Sequence, residues 1–170
     1  MDSSVFEHFP ELQTSRLRLV KLSKEHWNRF SELLAYRVNP KALKTPEAVF
    51  QKTEKDYSEH TAINWAIMFE GELIGLCGYF RGFKNDCGEI GYVMHKNFRN
   101  QAFMEEAAQA VIQCGFEQMK LTKILAFTNL DNLPSTRLLE KLNFEQTDEL
   151  LDGYTKFALT KIHFHERRSS

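Results

Sequence analysis

From Cys87 to Thr128 the chain passes from an apolar strand through a short basic loop into a long amphipathic helix, and then returns to an apolar strand. No other stretch constrains the fold as much. Two strands with a whole helix between them pair in parallel with a right-handed crossover, because an antiparallel pair would need only a tight turn. Cys87–Met94 (CGEIGYVM) and Lys123–Thr128 (KILAFT) are the strands. The helix starts near Gln101 and repeats Met104, Ala107, Ala108, Val111, Ile112, Phe116 and Met119 at helical spacing, so one face packs on the sheet. Parallel neighbours present their carboxyl ends together, beside the helix start. Free backbone N–H groups and the positive end of the helix dipole converge there, and Lys96 and Arg99 add full charges. A phosphate-bearing ligand suits that junction, although ordinary strand–loop–helix joints with solvated basic residues share the spacing.

The flanking segments build a sheet around this unit. Arg16–Val20 (RLRLV) alternates with period two and turns Leu17 and Leu19 inward. Ser23 reads as an N-cap with Leu22 and Trp27 as a hydrophobic staple, and the helix it opens runs through Phe30, Leu33 and Leu34 to about Tyr36. Asn39-Pro40 breaks that helix, and Thr45-Pro46 starts another that carries Val49, Phe50 and Tyr57. Ile63–Phe69 and Leu73–Tyr79 form an antiparallel hairpin about Glu70-Gly71. Gly75, Gly78, Gly88 and Gly91 fall within strands, where glycine marks a bulge or a close backbone approach, including the approach of a ligand. Asn132-Leu133-Pro134 opens a helix with Leu138, Leu139 and Leu142 on its apolar face and Asn143 at a left-handed cap. Asp152-Gly153 turns a last hairpin whose second strand is Tyr154–Leu159, and HFHERRSS reads as a frayed tail.

Composition narrows the function classes. At 170 residues and 42% apolar content, the chain suits one domain over residues 1–170, with its core between about 12 and 160. A net charge of -1 gives no basic field for nucleic acid. Cys77, Cys87 and Cys114 are odd in number and lack metal or redox spacing, and His163 and His165 make no metal set, so no metal site is expected. No apolar run approaches the roughly 20 residues that span a bilayer, and MDSSVFEHFPE has no signal-peptide core, so a cytosolic, membrane-free protein is expected.

The order strand, two helices, three antiparallel strands, helix, strand, helix, strand resembles the GNAT superfamily of acyl-CoA-dependent N-acetyltransferases. Two segments carry the likeness, EIGYVMHKNFRNQAFMEEA from Glu89 and NLDNLPSTRLLEKLNF from Asn129. In the second, Asn129, Asn132, Ser135, Glu140, Lys141 and Phe144 fall on the family's pattern. The opening TSRLRL looks like the first strand of the ribosomal-protein-alanine N-acetyltransferase branch. The resemblance implies an α+β (mixed α/β) fold: a mostly antiparallel sheet with one splayed parallel strand pair, and helices on both faces.

It also implies acetyl-CoA as cosubstrate, lying in the opening between the splayed strands. Pantetheine would pair with the backbone of Tyr92, Val93 and Met94, and the pyrophosphate would rest on N–H groups of Arg99, Asn100, Gln101, Ala102, Phe103 and Met104. Asn132 and Ser135 would also touch the cofactor. The family's glycines are replaced here by Asn100 and Ala102, so either cofactor binding is weaker or the loop has adjusted. Ala102 is expected in the first helical turn, where glycine would cost up to about 1 kcal/mol.

Leu139 stands where many members place an acidic tyrosine, and the branch resemblance implies that Ser135 protonates the departing thiolate instead. Ser135 read alone is a helix first-turn serine, and Asn132 an N-cap. The resemblance also implies a backbone N–H at a strand bulge near Val93 as the oxyanion donor and, in this branch, Glu149 as the general base, with Glu89 at the sheet centre as the other possibility. The acceptor is a primary amine, with a protein or peptide N-terminus favoured by the branch. A polyamine or antibiotic acetyltransferase, or a module that binds acyl-CoA without turnover, are the alternatives. A homodimer is compatible with each.

Overall fold

The computed structural model of the chain describes residues 1–34, 45–151 and 153–166. Its elements in chain order begin with α1 (Ser4–Glu7), β1 (Leu12–Gln13), β2 (Arg18–Lys21), α2 (Trp27–Leu34) and α3 (Pro46–Ser58). The hairpin β3 (Ile63–Phe69) and β4 (Glu72–Phe80) follows, then β5 (Cys87–Met94), α4 (Phe103–Glu117) and β6 (Lys123–Thr128). The chain continues through α5 (Leu133–Lys141), β7 (Glu145–Leu151), β8 (Tyr154–Thr160) and α6 (Lys161–Glu166). One sheet holds the eight strands of the described residues in the order β1-β2-β3-β4-β5-β6-β8-β7. Among the described residues only β5 and β6 pair in parallel.

Helices cover both faces, which is why β3 (INWAIMF) lacks a polar alternation: a strand buried on both sides has no solvent face. The pleat sends Trp65 and Ile67 into a core with Phe103, Ala107, Ala108 and Val111 of α4. Ala66 goes to the opposite core, where Phe30 and Leu33 of α2 and Val49 of α3 meet Leu73 and Leu76. The helix α4 packs closely enough for Tyr79 to donate from its hydroxyl to the Val111 carbonyl at 3.0 Å. A Cβ on Gly115 would lie 2.2 Å from that hydroxyl oxygen, so the helix carries glycine there despite its low helix propensity.

Local signals resolve in different ways. Thr45 caps α3 as its sequence predicts, accepting from the Ala48 N–H at 3.2 Å with Pro46 in the first turn. Ser23 does not cap through its side chain: Lys24–His26 form a 3₁₀ turn, α2 starts only at Trp27, and the Ser23 hydroxyl lies 3.3 Å from His26 Nδ1. The expected end of that helix near Tyr36, the Asn39-Pro40 break and Asp152 of the last turn lie outside the described residues. The start of the tail is helical, as α6, with Phe164 packed against the core rather than frayed.

The strand glycines mark close approaches of the protein to itself. A Cβ on Gly78 would sit 2.2 Å from the Ile63 carbonyl oxygen, and one on Gly75 would sit 2.7 Å from that of Val93. Nor does a bulge occur near Val93. The β4–β5 register runs unbroken from Gly75↔Met94 to Phe80↔Glu89, and the irregularity falls between Ile67 and Met68 of β3. Among the described residues no helix is long and apolar enough to cross a membrane, and no group of three His, Cys, Asp or Glu side chains could hold a metal ion.

Candidate active site

The parallel pair opens instead of bulging. β5 and β6 pair only at Cys87↔Lys123, Gly88↔Ile124 and Glu89↔Leu125, after which β6 stays with β8 and β5 stays with β4. From Ile90 to Met94 the β6-facing edge of β5 therefore carries no strand partner among the described residues. Main-chain donors and acceptors along such an edge are a template for an extended, amide-bearing ligand.

Two helix starts flank this opening, and neither has a side-chain cap bond. Ala102 precedes α4 and Asn132 precedes α5. Uncapped N–H groups at a positive dipole end favour an anion. The first turn of α4 also carries Glu105 and Glu106, which would oppose an anion if left unpaired. Both are paired. Lys141 Nζ of α5 bonds Glu105 at 3.2 Å, and Arg16 Nε bonds Glu106 at 2.7 Å.

Glu106 is the centre of a larger hub. Its Oε1 accepts from Thr14 Oγ1 at 2.6 Å, from Ser15 Oγ at 3.0 Å and from the Arg16 N–H at 2.9 Å. Burial works against ionisation, yet these hydrogen bonds and that of the Arg16 side chain outweigh it and hold the carboxyl at about 2. Arg16 also stacks over the Phe103 ring, 4.4 Å from its centroid, and donates through Nη1 to the Gln101 carbonyl at 3.1 Å. That carbonyl lies between two left-handed residues, Asn100 at φ 61° and Ala102 at φ 59°. The loop thus keeps at Asn100 and Ala102 the backbone that glycine adopts without strain, and the hub braces it. Ala102 is the N-cap and lies outside the helix, which begins at Phe103. Arg99 ties the loop to the strand end by donating from Nε to the Met94 carbonyl at 3.1 Å.

On the other side of the opening, Ser135 lies in the first turn of α5 and its Oγ is 2.9 Å from the Tyr92 hydroxyl of β5. Burial pushes the Tyr92 phenol up to about 12, against the smaller opposing effect of its bond to Ser135. Next to Ser135, Thr136 Oγ1 is buried with no hydrogen-bond partner. Asn132 is exposed, and Asn129 rather than Asn132 makes the local side-chain turn, accepting from the Asp131 N–H at 3.0 Å.

The two carboxylates expected as bases are engaged by cations. Glu149 on β7 is bonded to Lys156 Nζ at 2.6 Å, with a side chain 71% exposed. Glu89 pairs with Arg81 at the closed end of the opening. The thiols are separate from this chemistry: Cys77, Cys87 and Cys114 are free, and burial pushes each of them up, Cys114 to about 12.

Thr14, Ser15, Arg16 and Glu106 were not candidates from spacing. In the sequence TSRLRL signals only a first strand, and the role of its Thr14, Ser15 and Arg16 follows from the Glu106 carboxylate opposite them.

Residues 16–145 match the family model described as an acetyltransferase (GNAT) domain. The chain belongs to the GNAT acetyltransferase family. It is an N-acetyltransferase by that membership, and its relatives carry the same class name. The uncharacterized N-acetyltransferase YnaD of Bacillus subtilis is 28% identical over 160 residues, covering 88% of each chain. The ribosomal L7/L12 alpha-N-protein acetyltransferase RimL in complex with coenzyme A superposes with a TM-score of 0.78 at 16% identity, over 91% of this chain and 99% of that one. The spermidine/spermine N-acetyltransferase SpeG of Vibrio cholerae superposes equally well, at 0.78 and 13% identity over 91% and 99% of the two chains. Likeness at such identities establishes the shared fold and leaves the acceptor open.

Proposed function

We propose that this GNAT enzyme transfers the acetyl group of acetyl-CoA to the amine at the N-terminus of a protein or peptide. The residues around the opening fit that donor. The free edge of β5 from Ile90 to Met94 would pair with pantetheine amides, and the N–H groups from Arg99 to Met104 would take the pyrophosphate, with its acidic neighbours already neutralised. Bound acetyl-CoA supplies a thioester carbonyl to the attacking amine. Ser135 would protonate the departing sulfur, and the proton lost by the amine would leave through water or Glu149.

One observation favours a peptide acceptor. Of the exposed large apolar side chains among the described residues, Leu130, Leu133, Leu150, Leu151 and Tyr154 belong to segments at the end of the sheet where Thr128 of β6 pairs with Thr155 of β8 and Leu151 of β7 with Tyr154, the splayed end of the opening. An apolar rim suits the side chains that follow a peptide N-terminus, whereas a polyamine gains little from it.

A free-CoA release assay with peptides bearing free or blocked N-termini, spermidine and an aminoglycoside tests the reading. Release with free N-termini only is the expected result, and release confined to polyamine or antibiotic would replace the acceptor. Ser135→Ala should lower turnover by about 10²- to 10⁴-fold while CoA affinity stays nearly constant. Turnover within twofold of the unaltered protein would remove Ser135 from the mechanism.

A further inference from the structure

The bond between Tyr92 and Ser135 joins a strand to a helix start 43 residues away, at the one hydroxyl the reaction would use. Either oxygen could be the donor at 2.9 Å. Direction matters to the chemistry. If Ser135 donates to the phenol, its proton is turned away from the cosubstrate; if the phenol donates, the serine proton is free to point into the opening.

We propose that Tyr92 is a positioning residue of the transfer step: its hydroxyl donates to Ser135 Oγ and leaves the serine proton aimed at the thioester sulfur. This rests on the acetyl-transfer reading given above. The phenol is held protonated, since burial has pushed it up to about 12, and so it can act as donor at any working pH. A donor on Oγ also polarises the serine O–H, because linked hydrogen bonds strengthen one another. In the step itself the amine nitrogen forms its bond to the acetyl carbon and the carbon–sulfur bond breaks. Sulfur takes the Ser135 proton, and the serine recovers one from the water that accepted the proton released by the amine. Tyr92 keeps its own proton throughout.

The backbone of the same residue lies on the free edge of β5, so side chain and main chain would act on different parts of the cosubstrate. Tyr92→Phe separates them, because it removes only the oxygen. The expected result is a kcat about tenfold lower, with KM for acetyl-CoA and calorimetric CoA affinity unchanged and melting temperature lowered by no more than the loss of one hydrogen bond. The loss in kcat should be the same from pH 6 to 9. A role confined to packing would move melting temperature or CoA affinity and leave kcat alone, and that result overturns the proposal.

The double variant Tyr92→Phe, Ser135→Ala is the second readout. If Tyr92 acts through Ser135, the double variant matches Ser135→Ala alone within about twofold, because the two residues are coupled. Losses that multiply would overturn the proposal. So would an active wild-type enzyme whose Tyr92→Phe form keeps full kcat, and in that case acetyl transfer itself stands. A wild-type protein that releases no CoA with any amine removes the underlying reading and the Tyr92 role together.

Discussion

The two ends of the opening are built differently. Around the start of α4, a carboxylate with four hydrogen bonds, an arginine that reaches a loop carbonyl and a lysine from α5 hold two left-handed residues in place. Around the β7–β8 hairpin, Leu150 is 72% exposed, Leu151 52%, and the register slips between Gln146 and Leu150. In the reading proposed above, one end would serve a ligand whose phosphates and amides recur in every turnover. The other leaves apolar surface and an edge strand that an acceptor amine would cover. Under that reading the division follows from preorganisation, which lowers the cost of binding a ligand that is the same in every turnover.

The strongest way to break the contrast is to remove the hub. Glu106→Gln keeps the shape but takes the charge from Arg16 and weakens all four hydrogen bonds. With a carboxyl moved from 4.5 to about 2, the linked stabilisation near neutral pH is about 3 kcal/mol. Because folding makes Glu106 harder to protonate, this contribution is complete above about pH 4.5 and is lost as the pH falls toward 2. Urea denaturation at pH 7 should show the deficit in the variant. Between pH 4.5 and 2 the two proteins should converge, and parallel curves there would show that Glu106 contributes by packing alone. The variant should also bind CoA more weakly, while pantetheine, which does not reach the loop, binds as before.

That hub marks where sequence reading stopped. Strands β2 to β6 and helices α3 to α5 could be read from local signals: Leu17 and Leu19 alternate, β3 and β4 are short apolar runs about Glu70-Gly71, Thr45-Pro46 opens α3, and Asn143 takes the left-handed turn after α5 at φ 63°. The contiguous loop from Arg99 to Met104 and the position of Ser135 came from motif likeness. The rest depends on contacts distant in the chain. Arg16 meets Gln101 across 85 residues and Thr14 meets Glu106 across 92, and no local pattern encodes either. The β-bulge expected near Val93 failed for a related reason: the free edge comes from β6 turning toward β8, a pairing that β5 alone does not reveal.

Ala102→Gly sharpens the comparison with a smaller effect. Placed inside a helical turn, glycine would cost stability, but Ala102 stands before α4 at φ 59°. An L-residue there is strained by about 1–2 kcal/mol, and glycine gives back part of the relief through its larger unfolded-state entropy, so a net gain of about 0.5–1 kcal/mol is expected. Chemical denaturation measures it. If the hub also holds the loop in its binding shape, CoA affinity should stay within about twofold of wild type. A large rise in affinity would mean that the alanine methyl itself keeps the pyrophosphate at a distance.

The smallest effect on stability belongs at the other end. Leu150→Ser removes an apolar side chain that is 72% exposed, so unfolding free energy should change by no more than about 0.5 kcal/mol. Serine also suits an exposed edge strand, and β7 keeps its main-chain pairing with β8 through Leu150↔Thr155 and Leu151↔Tyr154. What should change is acceptor binding. Covering roughly half of a leucine side chain is worth about 1 kcal/mol, so KM for a peptide with apolar residues after its N-terminus should rise about fivefold, with kcat and KM for acetyl-CoA unaffected. A peptide with polar residues at the same places serves as the control, since it gains nothing from the leucines. If both peptides respond alike, or neither does, the rim does not touch the acceptor, and the exposed leucines of β7 belong to some other contact than catalysis.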